Sequence, residues 1–546
     1  MKLNKRDKAF RSNKVSYLDF KLIEMDRVLT HLFARLKHNG ASSKLSAKGM
    51  TVELFRDEFL DARNKHHFND FNQAPTVIEK WIETHLVDLV NRGKPNQAVA
   101  APRPLHGNTY LFRNPKHCRD YGASKQIYEL LYHAKSGQAA INRLKQFFFS
   151  GVDSSTGHYD SQTQVDVETQ ALLRLSDQVK SDAPDHSDLQ DRFKPLNQKA
   201  ADTLAEDVIR LMTYKQYIPR SVMVEYIKNL LAFHLALYQL KLIKLLPALA
   251  KSKGGQLDEN GKQQVGIFVD LTSGSNITCG EMAEQSASLH FKRIPAFIKA
   301  YFSVKKLDEF ADYLSRKGTL PGSKSTKQMP ATELFKLLES PLEQARDHFF
   351  GQRNAAILDS SISSANESED IPPEIHAITQ LGLSEFETYI EILLFVQGNA
   401  IRSGFVKNLD SLMLKNKPGA LLEQSAGSYG SRRFCLDGRL LEVLLQLAVL
   451  SPGGDLGFHT RELRVDELLT FLQSRYGIFI DSLPETDVFA EQSITVSAAL
   501  RANLAGFKRR LREIGFYKDL SDAYVTQTVS PRYVIERVQN VSEVGT

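Results

Sequence analysis

The sequence predicts a mainly α-helical, multi-domain protein with small α/β elements in its middle and a winged-helix-like unit at its C-terminal end. Three observations carry that expectation. Apolar residues recur at spacings of three and four along most of the chain, as they do in helices that bury one face. Breakers are sparse, with 31 glycines and 19 prolines among 546 residues, below the usual ~12%. Only residues 266–271 and 477–480 join apolar and β-branched residues into compact strand-like runs. A hydrophobic fraction of 42% and a charged fraction of 25% suit a chain that builds cores. Its length implies roughly three or four domains at ~150 residues each.

The elements follow in order. Residues 17–38 place Leu18, Leu22, Met25, Leu29, Leu32, Phe33 and Leu36 on one helical face. A second helix is expected at about 52–63 and a third at 76–91 behind Pro75, holding the single tryptophan, Trp81. Residues 92–106, rich in Pro, Gly and Ala, read as a linker. Helical spacing resumes at 124–149, 167–179 and 200–215, with a polar, turn-rich stretch at 181–196. Pro219 opens the next helix, at a position where a missing N–H costs nothing, and this helix runs through the most apolar stretch, 230–250. After a polar loop at 251–264 and the strand at 266–271, helices are expected at 281–290, 295–300, 307–317 and 331–350. Residues 359–373 lack packing residues and form a linker. Helices at 384–398, 406–415, 436–450, 465–475 and 496–514, a strand at 477–480 and an edge hairpin at 525–538 containing Pro531 complete the chain. Gly515 stops the last helix. The expected division is a helical region 1–255, a mixed region 256–358, a linker 359–375 and a helical region 376–546, with the winged-helix-like end at about 436–540.

Several classes fall away. Cys118, Cys279 and Cys435 are too far apart for a zinc knuckle or disulfide framework, so free thiols in a reducing compartment are expected. The basic N-terminus is followed by Asp19, Lys21, Glu24, Asp26 and Arg27, which interrupt any secretory h-region. His234, Lys241, Lys244 and Pro247 interrupt the apolar stretch and argue for a buried helix rather than a membrane span. These readings place the protein in the cytoplasm, with no membrane partner. A net charge of +6 permits nucleic-acid binding without requiring it.

Motifs for chemistry are scarce. In residues 322–326 the lysine follows Ser323, and no strand precedes, so the phosphate-loop context is missing. The run 270–276, with Asp270 at a strand end and Asn276 before a helix, is either a ligand-contact turn or a capped strand-to-helix turn. His66 and His67 are adjacent and diverge on a helix, and His117-Cys118 has no sequence partners. Asp153, Asp160, Asp166 and Glu168 could supply a metal-dependent carboxylate site, but Gly151, Ser154, Ser155, Gly157 and Ser161 suggest a solvated loop. No nucleophile elbow is present. The sequence therefore assigns no catalytic residue, metal ligand or cofactor.

The strongest physical signal is the helix 496–514. Leu500, Leu504, Phe507, Leu511 and Ile514 form an apolar stripe, while Arg501, Lys508, Arg509, Arg510 and Arg512 lie mostly off it and Lys518 follows. Such a helix packs by one face and offers the other to phosphates, which arginine forks bind bidentately. A solvated face or a protein contact would look the same. Helix, helix, strand, basic helix and hairpin follow one another as in a winged helix. The basic segment 2–14 is a second candidate phosphate-binding arm, or a disordered tail.

Short blocks carry a resemblance: residues 207–214 with 218–220, residues 233–238, and residues 507–516 with 520–523. They resemble large proteins of bacterial antiviral defence islands, in particular the B component of the Druantia anti-phage system, and methylation-associated systems encode similar proteins. None of the blocks is catalytic. The resemblance implies a non-enzymatic subunit of a multi-protein defence complex that scaffolds other subunits, including a helicase-like partner, and touches DNA. An unrecognised effector nuclease and a pure protein-interaction scaffold stay open as alternatives.

Overall fold

The computed structural model describes residues 3–44, 57, 75–87, 100–153, 160, 165–176, 183–190, 192–255, 265–321, 325–363, 372–425, 430–453, 457–485, 489, 493–518 and 527–536. The expected helix at 52–63 (apart from residue 57), His66 and His67, residues 322–324 and the centre of the linker, 364–371, lie outside the described residues.

The described chain is mainly helical. In order it forms α1 (Met25–Lys37), β1 (Ser42–Lys44), α2 (Pro75–Trp81), α3 (Ala123–His133), α4 (Gly137–Phe148), α5 (Val167–Ser176), β2 (Ala183–Asp185), α6 (Gln198–Met212) and α7 (Arg220–Lys251). Then come β3 (Ile267–Phe268), α8 (Ile277–Phe291), α9 (Ile294–Arg316), α10 (Ala331–Lys336), α11 (Glu343–Ser363), α12 (Pro373–Thr379) and α13 (Glu385–Met413). The last part holds β4 (Leu422–Gln424), β5 (Arg432–Phe434), α14 (Gly438–Ala448), β6 (Leu450–Pro452), β7 (Phe458–Thr460), β8 (Leu463–Arg464), α15 (Val465–Tyr476), β9 (Ile478–Phe479), α16 (Ile494–Glu513), β10 (Tyr517–Lys518) and β11 (Thr528–Val529).

Helix α7 is the axis of the molecule. It is 32 residues long and apolar all round, because it meets α1, α3, α6, α8, α9, α13 and α14 on different sides. Leu230, Leu231, Phe233, Leu235, Leu240 and Leu246 are almost completely buried, each worth ~1.5–3 kcal/mol on transfer from water. Two buried lysines on this helix are treated differently. Lys228 pairs with Asp26 at 2.6 Å and Glu225 at 2.7 Å. Lys241 has no such partner among the described residues, and burial pushes it down to about 8. Pro247 sits in the last turn, where only one hydrogen bond of the helix is lost. One continuous hydrophobic core runs from Leu3 to Ile535 and draws on residues from 1–255, 256–358 and 376–546 alike.

Several boundaries differ from the sequence pattern. The periodicity over 124–149 breaks at Ala134–Ser136, giving α3 and α4; a Cβ on Gly137 would meet the Leu131 carbonyl at 1.7 Å, so only glycine permits that tight corner. Conversely, the two helices expected at 295–300 and 307–317 are one, α9, because Lys306 at its centre is buried against Glu309 and the Arg6 carbonyl. Helix α13 likewise runs unbroken through Gly398 and Gly404, and at Gly404 it lies against the Phe20 carbonyl, where a Cβ would come within 2.8 Å. Proline 341 interrupts the stretch 331–350.

The middle and C-terminal parts join through main-chain pairing. β3 and β9 are parallel, with Ile267 opposite Ile478, and Asp270 bridges to Cys435. At the C-terminal end a three-stranded antiparallel sheet has the order β10–β11–β8. The hairpin expected within 525–538 is therefore corrected: β11 does not fold back on the residues after it but pairs on either side with β10 and β8.

Candidate nucleic-acid interface

Helix α16 begins at Ser493, whose side chain accepts from the Val496 N–H at 3.2 Å, and ends before Gly515, which takes φ 76°. Its buried line is Ala499, Asn503, Gly506, Phe507 and Leu511, rotated from the expected stripe because α16 is wedged between two cores. Leu500 packs with Ala499 against Cys279 and Phe268, while Leu504 and Ile514 reach the main core.

Asn503 fixes the helix in rotation. Fully buried, it donates from Nδ2 to the carbonyls of Val269 at 2.9 Å and Ile480 at 2.8 Å, and its Oδ1 accepts from Leu271 N–H at 2.7 Å. Those groups lie just past the ends of β3 and β9, where parallel pairing has run out. Gly506 sits directly on the Leu271 carbonyl, where a Cβ would come within 2.6 Å.

With that face seated, the cations point away. Arg501, Lys508 and Arg512 are seven and four residues apart and share one helical face, with Arg509 beside them. Arg501, Arg509 and Arg512 are exposed and Lys508 half-buried. Arg501 donates to the Ser497 carbonyl at 3.4 Å, and Arg512 lies 4.9 Å from the Tyr517 ring centroid. Arg510 is tied to Glu513 at 3.1 Å on another side of the helix. Among the described residues Lys508 and Arg509 make no ion pair. Lys518 lies in β10, and its side chain falls outside the described residues.

The other candidates have structural partners. Asp270 accepts from Thr272 N–H at 2.7 Å, Thr272 Oγ1 at 2.6 Å and Gly274 N–H at 3.2 Å, and pairs with Arg433 at 3.2 Å. Asn276 caps α8 through Cys279 N–H at 3.0 Å. The run 270–276 is thus a fully bonded turn on which α16 rests. Asp166 accepts from the N–H and hydroxyl of Thr169, both at 2.9 Å, and caps α5. Of its expected companions, Asp153, Asp160 and Glu168 are described but most of the connecting loop is not. Among the described residues no three His, Cys, Asp or Glu side chains are grouped to hold a metal ion. The three cysteines are buried and form no disulfide; burial pushes Cys279 up to about 11 and Cys435 up to about 12.

The N-terminal segment is neither a free arm nor a loose tail from residue 3 onward. Leu3 is buried, Lys14 binds Asp308 at 2.7 Å and the Thr326 carbonyl at 2.7 Å, and Arg6 binds Glu309 at 3.1 Å. Arg6 and Lys14 thus dock the segment on α9, and Arg11 pairs with Asp19 at 3.0 Å.

Sequence reasoning missed a buried polar knot. Asp207 of α6, fully buried, accepts from His234 Nε2 at 2.9 Å, Arg475 Nε at 2.8 Å, Arg475 Nη2 at 2.6 Å and Tyr476 Oη at 2.8 Å. Burial alone would raise the Asp207 carboxyl, but the His234 hydrogen bond and the Arg475 charge outweigh it and hold the group below its usual range. Burial also lowers His234, so a neutral imidazole donates to the carboxylate. Asp207 and His234 each interrupt an apolar helix face, and that was the available signal. They also lie in two of the three blocks that carried the family resemblance.

Residues 5–533 match the family described as Methylation-associated defense system protein MAD7. The chain belongs to the MAD7 family. Membership makes it a component of an antiviral defence system, as the short blocks implied, and the family is named for a methylation-associated system. No curated protein and no solved structure matches the chain.

Proposed function

We propose that this MAD7-family protein is a non-enzymatic subunit of its defence system that contacts DNA through the cationic face of α16. The observation that carries the reading is the pair Lys508 and Arg509. Among the described residues they have no ion-pair partners, and they lie between Arg501 and Arg512, on the side of α16 opposite its anchored face. Unpaired cations on a rigidly held helix are pre-organised for phosphates, and binding there releases counterions.

The chain order adds support. Setting aside the β6–β7 hairpin and β9, the succession of helix α14, strand β8, helices α15 and α16 and strands β10 and β11, with β11 central in the sheet, is compatible with a winged helix with α16 as its third helix. In that reading the third helix enters the groove. Helicase-like and other subunits would supply motor and chemistry, in the cytoplasm, with this chain as scaffold. The short blocks that resemble the Druantia B component would mark a comparable accessory role. No observation favours the nuclease alternative, since Asp270 and Asp166 are bound into turns.

Charge reversal of the pair and its neighbour, K508E/R509E/R512E, tests the proposal by anisotropy on a labelled duplex. Each lost phosphate contact should flatten the slope of log K against log salt by ~0.9, with the circular dichroism spectrum unchanged. Equal affinity of the variant and the parent protein at every salt concentration overturns the DNA half and leaves the protein-interaction scaffold.

A further inference from the structure

Where the C-terminal end of α7, the first half of α9 and the N-terminal ends of α11 and α13 converge, they leave a cavity of about 450 Å³. That is within the range of small-molecule sites, which favour gaps between bundled helices. One wall is apolar, built from Pro247, Ala250, Ala300, Leu338, Phe386 and Ile390. The polar side is dominated by Arg346, which is only 6% exposed.

Arg346 is unusual in what it lacks. Its Nη1 donates to the Leu337 carbonyl at 3.2 Å, while its Nε is buried without a hydrogen-bond partner. Among the described residues no carboxylate pairs with it. A guanidinium this deeply buried is ordinarily matched by an anion. The nearby acids do not fill that role: the Arg346 charge acts on the adjacent Asp347, but the two form no ion pair among the described residues, and Asp347 Oδ1 is itself buried without a hydrogen-bond partner. Glu387 is used in the capping box of α13 with Ser384, and Glu343 is exposed. At the mouth Lys251 and Lys253 are exposed without ion pairs among the described residues, and Lys299 is paired with Glu391 at 2.6 Å. The N-terminal ends of α11 and α13 add the positive ends of two helix dipoles.

We propose that this cavity binds a small organic anion with an apolar body, its carboxylate or phosphate head held by the Arg346 fork and its chain against the Phe386–Ile390 wall. Planar two-point recognition is what guanidinium supplies and an ammonium does not. The site is separate from α16 and independent of the DNA-contact reading.

Calorimetric titration of the full chain with decanoate and with decyl phosphate tests it, with decanol and decyltrimethylammonium as matched controls. At least one of the two anions should bind at one site per chain, tenfold or more tighter than either control, and the one that binds identifies the head group. Arg346→Met should weaken that binding about tenfold to a hundredfold. Ala296→Phe, at an exposed position of the lining, leaves Arg346 in place and should weaken binding by occluding the site. It decides the matter if Arg346→Met fails to fold. Absence of saturable binding by both anions, equal binding of decanol, or full affinity in Ala296→Phe overturns the proposal.

Discussion

Replacing Asp207 by alanine should be among the most damaging single changes in the protein. The carboxylate is fully buried and receives four hydrogen bonds, two of them from Arg475. Its loss strands a guanidinium whose side chain is only 17% exposed, together with His234 and the Tyr476 hydroxyl. Removing one partner of a buried pair costs about 3–5 kcal/mol, because the remaining charge stays desolvated. Glu206, 3.1 Å from Arg475 but half exposed, recovers only a small part in water-screened surroundings. The urea midpoint should fall accordingly. The amides of α15 should also exchange faster, since the knot is what ties α15 to α6 and α7. Asp207→Leu combined with Arg475→Met should be milder than Asp207→Ala alone, because no unpaired charge remains. A loss below ~1 kcal/mol in Asp207→Ala, or a double variant worse than the single, would refute this account of the knot.

Three further outcomes follow from the same structure. Burial holds His106 down to about 3, with its Nδ1 accepting from Asn108 N–H and its Nε2 facing the Ser150 carbonyl, and holds His290 down to about 4. The unfolded chain takes up protons at these histidines below ~6.5 while the folded chain does not. These two histidines should therefore make stability fall as the pH drops from 6.5 to 4, read from urea midpoints; midpoints level from pH 7 down to pH 5 would contradict it. Gly506→Ala should destabilise by ~1–3 kcal/mol despite the ~1 kcal/mol helix preference for alanine, because the methyl meets the Leu271 carbonyl; a gain in thermal midpoint would show that α16 is not seated there. Asn503→Leu leaves two carbonyls and one N–H without partners, at ~2–4 kcal/mol, and should weaken DNA binding with Lys508 and Arg509 intact; unchanged stability would deny Asn503 its anchoring part.

Helices were legible where a single apolar stripe met a single core, as in α6 and α15; of the helix expected over 17–38 only Met25–Lys37 is helical. The pattern misled where tertiary contacts use residues that look like breakers. Gly404 allows α13 to touch the Phe20 carbonyl, and Lys306 lies buried in mid-helix because Glu309 and a carbonyl receive it. The cationic face of α16 was readable from spacing alone. Its rotational setting was not, since Asn503 and Gly506, a polar residue and a breaker by composition, are the contacts that fix it. The Asp207 knot joins residues 268 positions apart, and no local pattern announces such a pair. Arg346 was likewise invisible, because an unpaired arginine differs from a paired one only in three dimensions.

The most direct test of the central claim is photo-crosslinking of the intact protein to duplex DNA carrying reactive groups on its backbone, with the adducts mapped by mass spectrometry. Contact through α16 predicts adducts concentrated between residues 501 and 518 that vanish in K508E/R509E/R512E. Adducts confined to other segments, or unaffected by the charge reversal, would contradict it.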